Sequence, residues 1–404
     1  MIPQPYSGCG NCSYEVFMLK KVTFLLTHLL VAVAASVLTL ALFLPQQGPV
    51  PGNTKLQQLQ ALIEERFIGE ADKTKMEDAA ANAMIQSLGD RWSYYISAEE
   101  FAGYMEQMKN AYVGIGVTIQ NSEGDHGFEI IAVTEGGPAE KAGIKPGDIL
   151  TRVENQSVEL LGMDATRNIV RGEEGTKVKI TIRRGDEMWD LSVMRQSIQT
   201  IVASYELLDG DIGLITIANF DDRCASETIA AIEAVIGQGA KSLIFDVRNN
   251  PGGYAHELTK VLDYLLPKVE IFHTIDYAGN EDVVNSDENF LKMPMAVLVN
   301  GNSYSAAEFF AATLSYYDWA TTVGEATVGK GYFQKTYSLG DGSAVGLSVG
   351  KYFAPDGSSL EGVGIQPDVP VAVDDETAAK IYYNTLPAME DPQVLAAIAA
   401  LRGE

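Results

Sequence analysis

Positive charge, histidine and cysteine are all scarce in this chain of 404 residues, where 29 Lys and Arg face 54 Asp and Glu beside four His and three Cys. A net charge of −25 argues against a nucleic-acid partner, because phosphate contacts need clustered Lys and Arg. Three cysteines cannot build a disulfide scaffold, and the lone C-x-x-C pair, Cys9 and Cys12, lacks the second pair a zinc site needs. No metal or cofactor is expected. With 46% apolar and only 21% charged residues, wholesale disorder is excluded, and the length suits two or three domains.

What the chain does have begins with Val22 to Leu44, 23 residues without a formal charge. At about 1.5 Å per helical residue this run spans a hydrocarbon core of about 30 Å. Lys20 and Lys21 precede it, so residues 1–21 are expected in the cytoplasm, residues 22–44 in the membrane and the rest outside. Of the charged side chains, 53 acidic and 27 basic ones follow residue 45. A cleaved signal peptide has a shorter apolar run of about 7–15 residues and a small-x-small site. Pro45-Gln46-Gln47 offers no such site, so an uncleaved anchor is expected. Met18 would serve as an initiator as well as Met1, and Cys224 reads as a small core residue.

Residues 45–110 read as a Pro/Gly/Gln linker and a helical region. Thr54 is placed to cap a helix with Leu56, Leu59, Leu62, Ile63 and Phe67 on its apolar face, and a second helix runs from about Met76 to Leu88 before Gly89. Over 111–198 the texture changes to short strands and turns: an extended Tyr112–Val117, a strand Phe128–Val133, the block PAEKAGIKPGDIL at 138–150, a helix near Met163–Val170 and a strand from Val178. This order resembles a PDZ domain, with Gly114, Ile115, Gly116 and Val117 where such domains hold a peptide carboxylate. Glycines let successive N–H groups turn toward one point, and the peptide adds as a strand to the sheet edge.

From 199 to 404 strands and helices alternate, which predicts an α/β core with a mixed, largely parallel sheet and ligand sites at the carboxyl ends of its strands. Two such ends are Arg248-Asn249-Asn250-Pro251-Gly252-Gly253 and Asn300-Gly301-Asn302-Ser303-Tyr304-Ser305. A serine at a strand-to-helix turn is well placed for nucleophilic attack, although serine is also an ordinary helix cap. Among the histidines only His256 lies near enough in sequence to such an end to act as its base. Lys330, flanked by Gly329 and Gly331, is the better base, because burial of an ammonium lowers its pKa. Gln334, four residues on, is expected to share a face with it and orient it.

These motifs, from Gly89-Asp90-Arg91-Trp92-Ser93-Tyr94-Tyr95 to Gly364-Ile365-Gln366-Pro367-Asp368, resemble the C-terminal processing peptidases in their order. That family's Ser-to-Lys and Ser-to-Gln spacings of 25 and 29 residues select Ser305 over Ser303, with Lys330 and Gln334. The resemblance implies a serine endopeptidase on the outer side of a bacterial cell membrane. Its PDZ domain would capture polypeptides with accessible apolar C-termini. Its oxyanion hole would be the N–H of Ala306 plus that of Gly252 or Gly253, and a homodimer is compatible with it. Tyr304 departs from the small residue common in relatives. The alternative reading is an inactive PDZ scaffold, which would be signalled by loss of Ser, Lys or Gln. A trypsin-like protease would place its PDZ domain last, and an esterase would show G-x-S-x-G.

Overall fold

The computed structural model describes residues 54–122 and 126–403. The apolar run 22–44, Cys9, Cys12, Met1 and Met18 lie outside the described residues. Among those described, no helix is long and apolar enough to cross a membrane.

The chain divides into two compact units, one ending at Ala80 and one beginning at Ala81. The first holds α1 (Lys55–Arg66) and the start of α2 (Lys73–Gln86). Thr54 caps α1 reciprocally with Gln57, whose N–H donates to Thr54 Oγ1 while Gln57 Oε1 accepts from the Thr54 N–H. The leucines of its apolar face, Leu56, Leu59 and Leu62, stay exposed. Helix α2 starts a turn earlier than the hydrophobic pattern predicts because the Asp72 carboxylate accepts from the Lys75 N–H.

The second unit opens with β1 (Tyr94–Ile96) and α3 (Ala98–Met108). A β-rich segment follows through β2 (Ala111–Gly114), β3 (Val117–Asn121), β4 (Phe128–Val133), β5 (Ile149–Val153) and the short β6 (Gln156–Ser157). Helix α4 (Met163–Val170), β7 (Lys177–Arg184), β8 (Glu187–Met194) and β9 (Gln196–Gln199) complete it. Its sheet runs β3-β4-β5-β7-β8, leaving β3 at an edge. Ile115, Ile130, Leu150 and Ile182 are buried in its own core. Strands β2 and β9 pair antiparallel, so the segment enters and leaves side by side. The extended stretch expected over 112–117 is broken at Ile115-Gly116, where Gly116 takes a φ of +77° that favours glycine.

Beyond this come β10 (Ala203–Leu208), β11 (Ile212–Ile217), α5 (Cys224–Gly237), β12 (Ser242–Asp246), α6 (Ala255–Leu265), β13 (Glu270–Asp276) and β14 (Glu281–Asn285). Then follow β15 (Met295–Val299), α7 (Ala306–Tyr316), β16 (Ala320–Gly324), β17 (Tyr332–Ser338), β18 (Ala344–Phe353), β19 (Val369–Pro370) and α8 (Pro392–Arg402). The main sheet, β10-β11-β12-β15-β16-β19, is parallel except for the β10 edge. Its middle strands are continuously apolar because helices cover both faces, with α5, α6 and α7 on one and α8 on the other. Cys224 is buried in that core. A second, antiparallel sheet runs β1-β18-β13-β14 with β17 also on β18. Buried Arg248 ties α8 to the end of β12, reaching Asp246 through Nη2 at 2.5 Å and Asp391 through Nη1 at 2.7 Å.

Candidate active site

Parallel pairing of β12 with β15 sets the loops leaving their carboxyl ends side by side. The first loop, Asn249 to Gly253, and the second, Asn300 to Ser305, are then tied by asparagine side chains. Asn300 Oδ1 accepts from the Asn249 N–H at 2.9 Å, and Asn249 Oδ1 accepts from the Asn300 and Asn302 amides at 3.0 Å. The Tyr304 N–H donates to Asn250 O at 3.1 Å.

Of the two serines in the second loop, Ser303 is fully buried and its hydroxyl donates to Val247 O at 2.7 Å. Its oxygen is committed to structure. Ser305 sits at the mouth of α7 with φ +59° and ψ −123°, a strained conformation for a residue with a side chain. Gly252 packs directly against it. A Cβ on Gly252 would lie 2.7 Å from Ser305 Cβ, and one on Gly253 would lie 2.4 Å from the Phe220 carbonyl carbon.

The Gly252 N–H donates to Asn250 Oδ1 at 2.8 Å and so is already engaged. The N–H groups of Ala306 and Gly253 have no acceptor among the described residues. Ala306 directly follows Ser305 as the first residue of α7, and Gly253 follows the glycine packed on the serine. Stabilisation of a tetrahedral oxyanion requires open N–H donors of this kind.

Opposite lies the loop from Thr327 to Gly331. Lys330 is half-buried, and its Nζ makes no hydrogen bond or ion pair among the described residues. It lies 5.0 Å from the Trp92 ring centroid and 5.8 Å from that of Tyr304, two rings stacked with each other. Burial pulls the Lys330 pKa down, and the carboxylates of Glu361, Asp90 and Glu308 oppose that shift without cancelling it. Glu361 also accepts from Trp92 Nε1 at 2.9 Å and from the Gly331 N–H at 2.9 Å, holding the ring and the loop together.

Loop and helix meet at Glu308, a fully buried side chain one turn into α7. Its Oε2 accepts from the main-chain N–H of Ser305 at 2.9 Å and from that of Lys330 at 2.8 Å. Its Oε1 accepts from Thr327 Oγ1 at 2.5 Å and from the Gly329 N–H at 2.7 Å. One carboxylate thus gathers the serine and lysine backbones around a single oxygen.

Gln334 is engaged through its amide nitrogen. Its Nε2 donates to Tyr332 O and to Ser348 Oγ, each at 3.1 Å, and it makes no hydrogen bond to Lys330. A β-bulge interrupts the strand between Phe333 and Gln334. His256 is exposed, stacks on Tyr254 and approaches Glu257 at 3.5 Å, and it makes no hydrogen bond to Ser305. The part of Glu308 was hidden in the sequence, where Ser-x-x-Glu reads as an ordinary capping box. Trp92 lies within the Gly89–Tyr95 motif, but nothing in its spacing indicates a lysine platform.

Beside Gly253 lies a further buried carboxyl. Asp221 is 3% exposed and its Oδ1 has no hydrogen-bond partner. Burial, and then the charge of Asp222, push its pKa up to about 7 from an ordinary 3.8. The folded state therefore keeps a proton that the unfolded chain releases from about pH 4 upward, and stability falls as pH rises through the window between these values. Asp221→Asn is expected to leave stability at pH 4 nearly unchanged and to raise it at pH 8 by up to about 4 kcal/mol. Melting temperatures measured across that range check this, and parallel curves for the two proteins would refute it.

The groove of the β-rich segment lies between β3 and α4, with a volume near 260 Å³. Gly114, Ile115, Gly116 and Val117 all line it. The N–H groups of Ile115 and Gly116 have no acceptor among the described residues. Arg171, just past α4, packs its guanidinium 4.9 Å from the Tyr112 ring at the Gly114 end.

Comparison with known proteins agrees with this architecture. Residues 211–371 match peptidase family S41, and residues 129–184 match a PDZ domain. The chain is 34% identical over 358 residues to the carboxy-terminal processing protease CtpA of Bacillus subtilis (strain 168), covering 86% of this chain and 76% of that one. It is 30% identical over 335 residues to a "Probable CtpA-like serine protease" of Staphylococcus aureus (strain COL), covering 82% and 67%. A presumed S41 protease from Bacteroides fragilis NCTC 9343 shares the fold, with a TM-score of 0.54 at 13% identity over 89% of this chain and 99% of that one. The photosystem II D1 C-terminal processing protease matches at 25% identity and a TM-score of 0.46, over 78% and 86%. With its PDZ groove and its strained serine beyond the carboxyl end of β15, the chain belongs to peptidase family S41, among the carboxy-terminal processing serine proteases.

Proposed function

We propose that this protein is a membrane-anchored, extracytoplasmic endopeptidase that captures polypeptide C-termini in its PDZ groove and cleaves upstream bonds with Ser305 and Lys330. The observation that carries the reading is the shared Glu308 oxygen, which holds the serine and lysine backbones to one point. Ser305 Oγ attacks the scissile carbonyl carbon while Lys330 Nζ, unprotonated, takes the hydroxyl proton. The oxyanion receives the N–H groups of Ala306 and Gly253. Collapse breaks the C–N bond, Lys330 returns the proton to the leaving amine, and water hydrolyses the acyl-enzyme ester. Gln334 Oε1, with its Nε2 held by Tyr332 and Ser348, is the acceptor that would orient the lysine.

The groove supports the capture half of the reading. The open N–H groups of Ile115 and Gly116 suit a terminal carboxylate, and the free edge of β3 suits an added strand. Residues 22–44, preceded by Lys20 and Lys21, supply a single-pass anchor with the catalytic part outside the cell membrane. The exposed leucines of α1 suit association with a second copy.

The test uses the full chain in detergent with a loosely folded protein ending in apolar residues. New termini identified by mass spectrometry are expected with the natural sequence and not with Ser305→Ala. Equal cleavage by both would place the chemistry elsewhere. Binding without cleavage by either, under conditions that release any autoinhibited state, would favour a scaffold.

A further inference from the structure

The groove between β3 and α4 carries two guanidinium groups and no carboxylate among its lining residues, in a chain where acidic side chains outnumber basic ones 54 to 29. Arg171 stands at the Gly114 end, where the open N–H groups gather. Arg167 lines the same wall four residues earlier. Between and around them the wall is apolar, with Met163, Val170 and Leu150.

Geometry assigns the two arginines to different parts of a bound peptide. Four residues along a helix advance about 6 Å. A peptide added to β3 as a strand rises about 3.3 Å per residue, so 6 Å is about two residues upstream of the carboxylate end. Side chains alternate along a strand, so the last residue and the third from last point the same way, toward the α4 wall. Arg167 thus faces the third residue from the end.

Its present partner is weak competition. The Arg167 guanidinium makes one hydrogen bond, from Nη2 to Asp164 Oδ1 at 2.6 Å, and both side chains are largely exposed. An exposed i,i+3 pair contributes little, and a guanidinium has further donors to offer.

We infer that Arg167 makes this groove selective for polypeptide C-termini that carry an acidic side chain at the third position from the end, behind an apolar last residue. The inference rests on the reading of the groove as a capture site for C-termini. It narrows the substrates from any apolar tail to a charged subset, and it locates the choice on one side chain remote from the peptide-bond chemistry.

The experiment measures binding by fluorescence anisotropy, using the full chain in detergent with Ser305→Ala so that peptides survive. Four labelled twelve-residue peptides share one sequence ending in an apolar residue. Three have free C-termini with Glu, Gln or Lys at the third position from the end, and the fourth is the Glu peptide with an amidated C-terminus. The Glu peptide is expected to bind about three- to five-fold more tightly than the Gln peptide and about ten-fold more tightly than the Lys peptide, with the preference shrinking in high salt. Arg167→Gln should flatten the order and Arg167→Glu should invert it, while both still prefer free acid to amide. Equal binding of the three free acids, or an order unchanged in Arg167→Glu, overturns the inference while the preference for free acid keeps the capture reading. Equal binding of acid and amide overturns the capture reading itself, and this inference with it.

Discussion

Replacing Lys330 by alanine is expected to lower kcat/KM by about 10²- to 10⁴-fold while leaving peptide binding in the groove unchanged, and replacement by arginine should do the same. Shape is not what the lysine supplies, since arginine keeps the length and the charge. The proposed reaction needs an amine that gives up its proton, and a guanidinium does not do so in a protein. Burial opposes the ammonium at this position, while three carboxylates and the Trp92 and Tyr304 rings favour it. The balance lies on the side of a lowered pKa. Activity of the natural sequence should therefore rise with pH, with a midpoint below the 10.5 of an ordinary lysine. A pH–rate profile on a fluorogenic peptide reads this directly. A midpoint at or above the ordinary value, or undiminished turnover in Lys330→Ala, would mean that another group is the base.

A comparable loss is expected from Glu308, which touches no substrate. Glu308→Gln keeps the size of the side chain but turns an amide NH₂ toward two of the four donors that now meet carboxylate oxygens. Left facing the N–H groups of Ser305 and Lys330, or the Thr327 hydroxyl and the Gly329 N–H, it would repel one pair. The serine turn and the lysine loop then separate by a fraction of an ångström to an ångström, and misplacement on that scale costs about 10²-fold. The fall should appear in kcat with KM little changed, because the groove lies elsewhere. Glu308→Ala should also lower the melting temperature, since buried donors left without acceptors cost about 1–3 kcal/mol each. If Glu308→Gln turned over substrate at the natural rate, the carboxylate would have no positioning role.

Much of this was legible in the chain. The parallel sheet announced itself through short apolar strands alternating with helices, and helices on both faces explain why β11, β12 and β15 show no polar alternation. The groove could be placed from Gly114 and Gly116 because a carboxylate nest needs backbone that only glycine adopts freely. What could not be read was long-range pairing. The antiparallel sheet joins Tyr94 to Gly346 across some 250 residues, and nothing local in either strand names the other. The bulge between Phe333 and Gln334 is likewise invisible in composition. Ser303 and Ser305 differ only in surroundings: one hydroxyl is taken by a carbonyl of the neighbouring strand end, the other is not.

The antiparallel pairing of β2 with β9 has a topological consequence. With entry and exit strands hydrogen-bonded side by side, the whole segment from Ala111 to Gln199 is, for the peptidase core, a single closed loop. Loop-closure entropy grows only slowly with length, so an insertion of nearly ninety residues burdens the surrounding fold hardly more than a short turn would. The strand that carries the neck also ends in Gly114, where the groove begins. The PDZ segment and the peptidase core are thus two modules joined at a seam of four residue pairs. Each can change its sequence under its own constraints, with one short ribbon carrying any message between them.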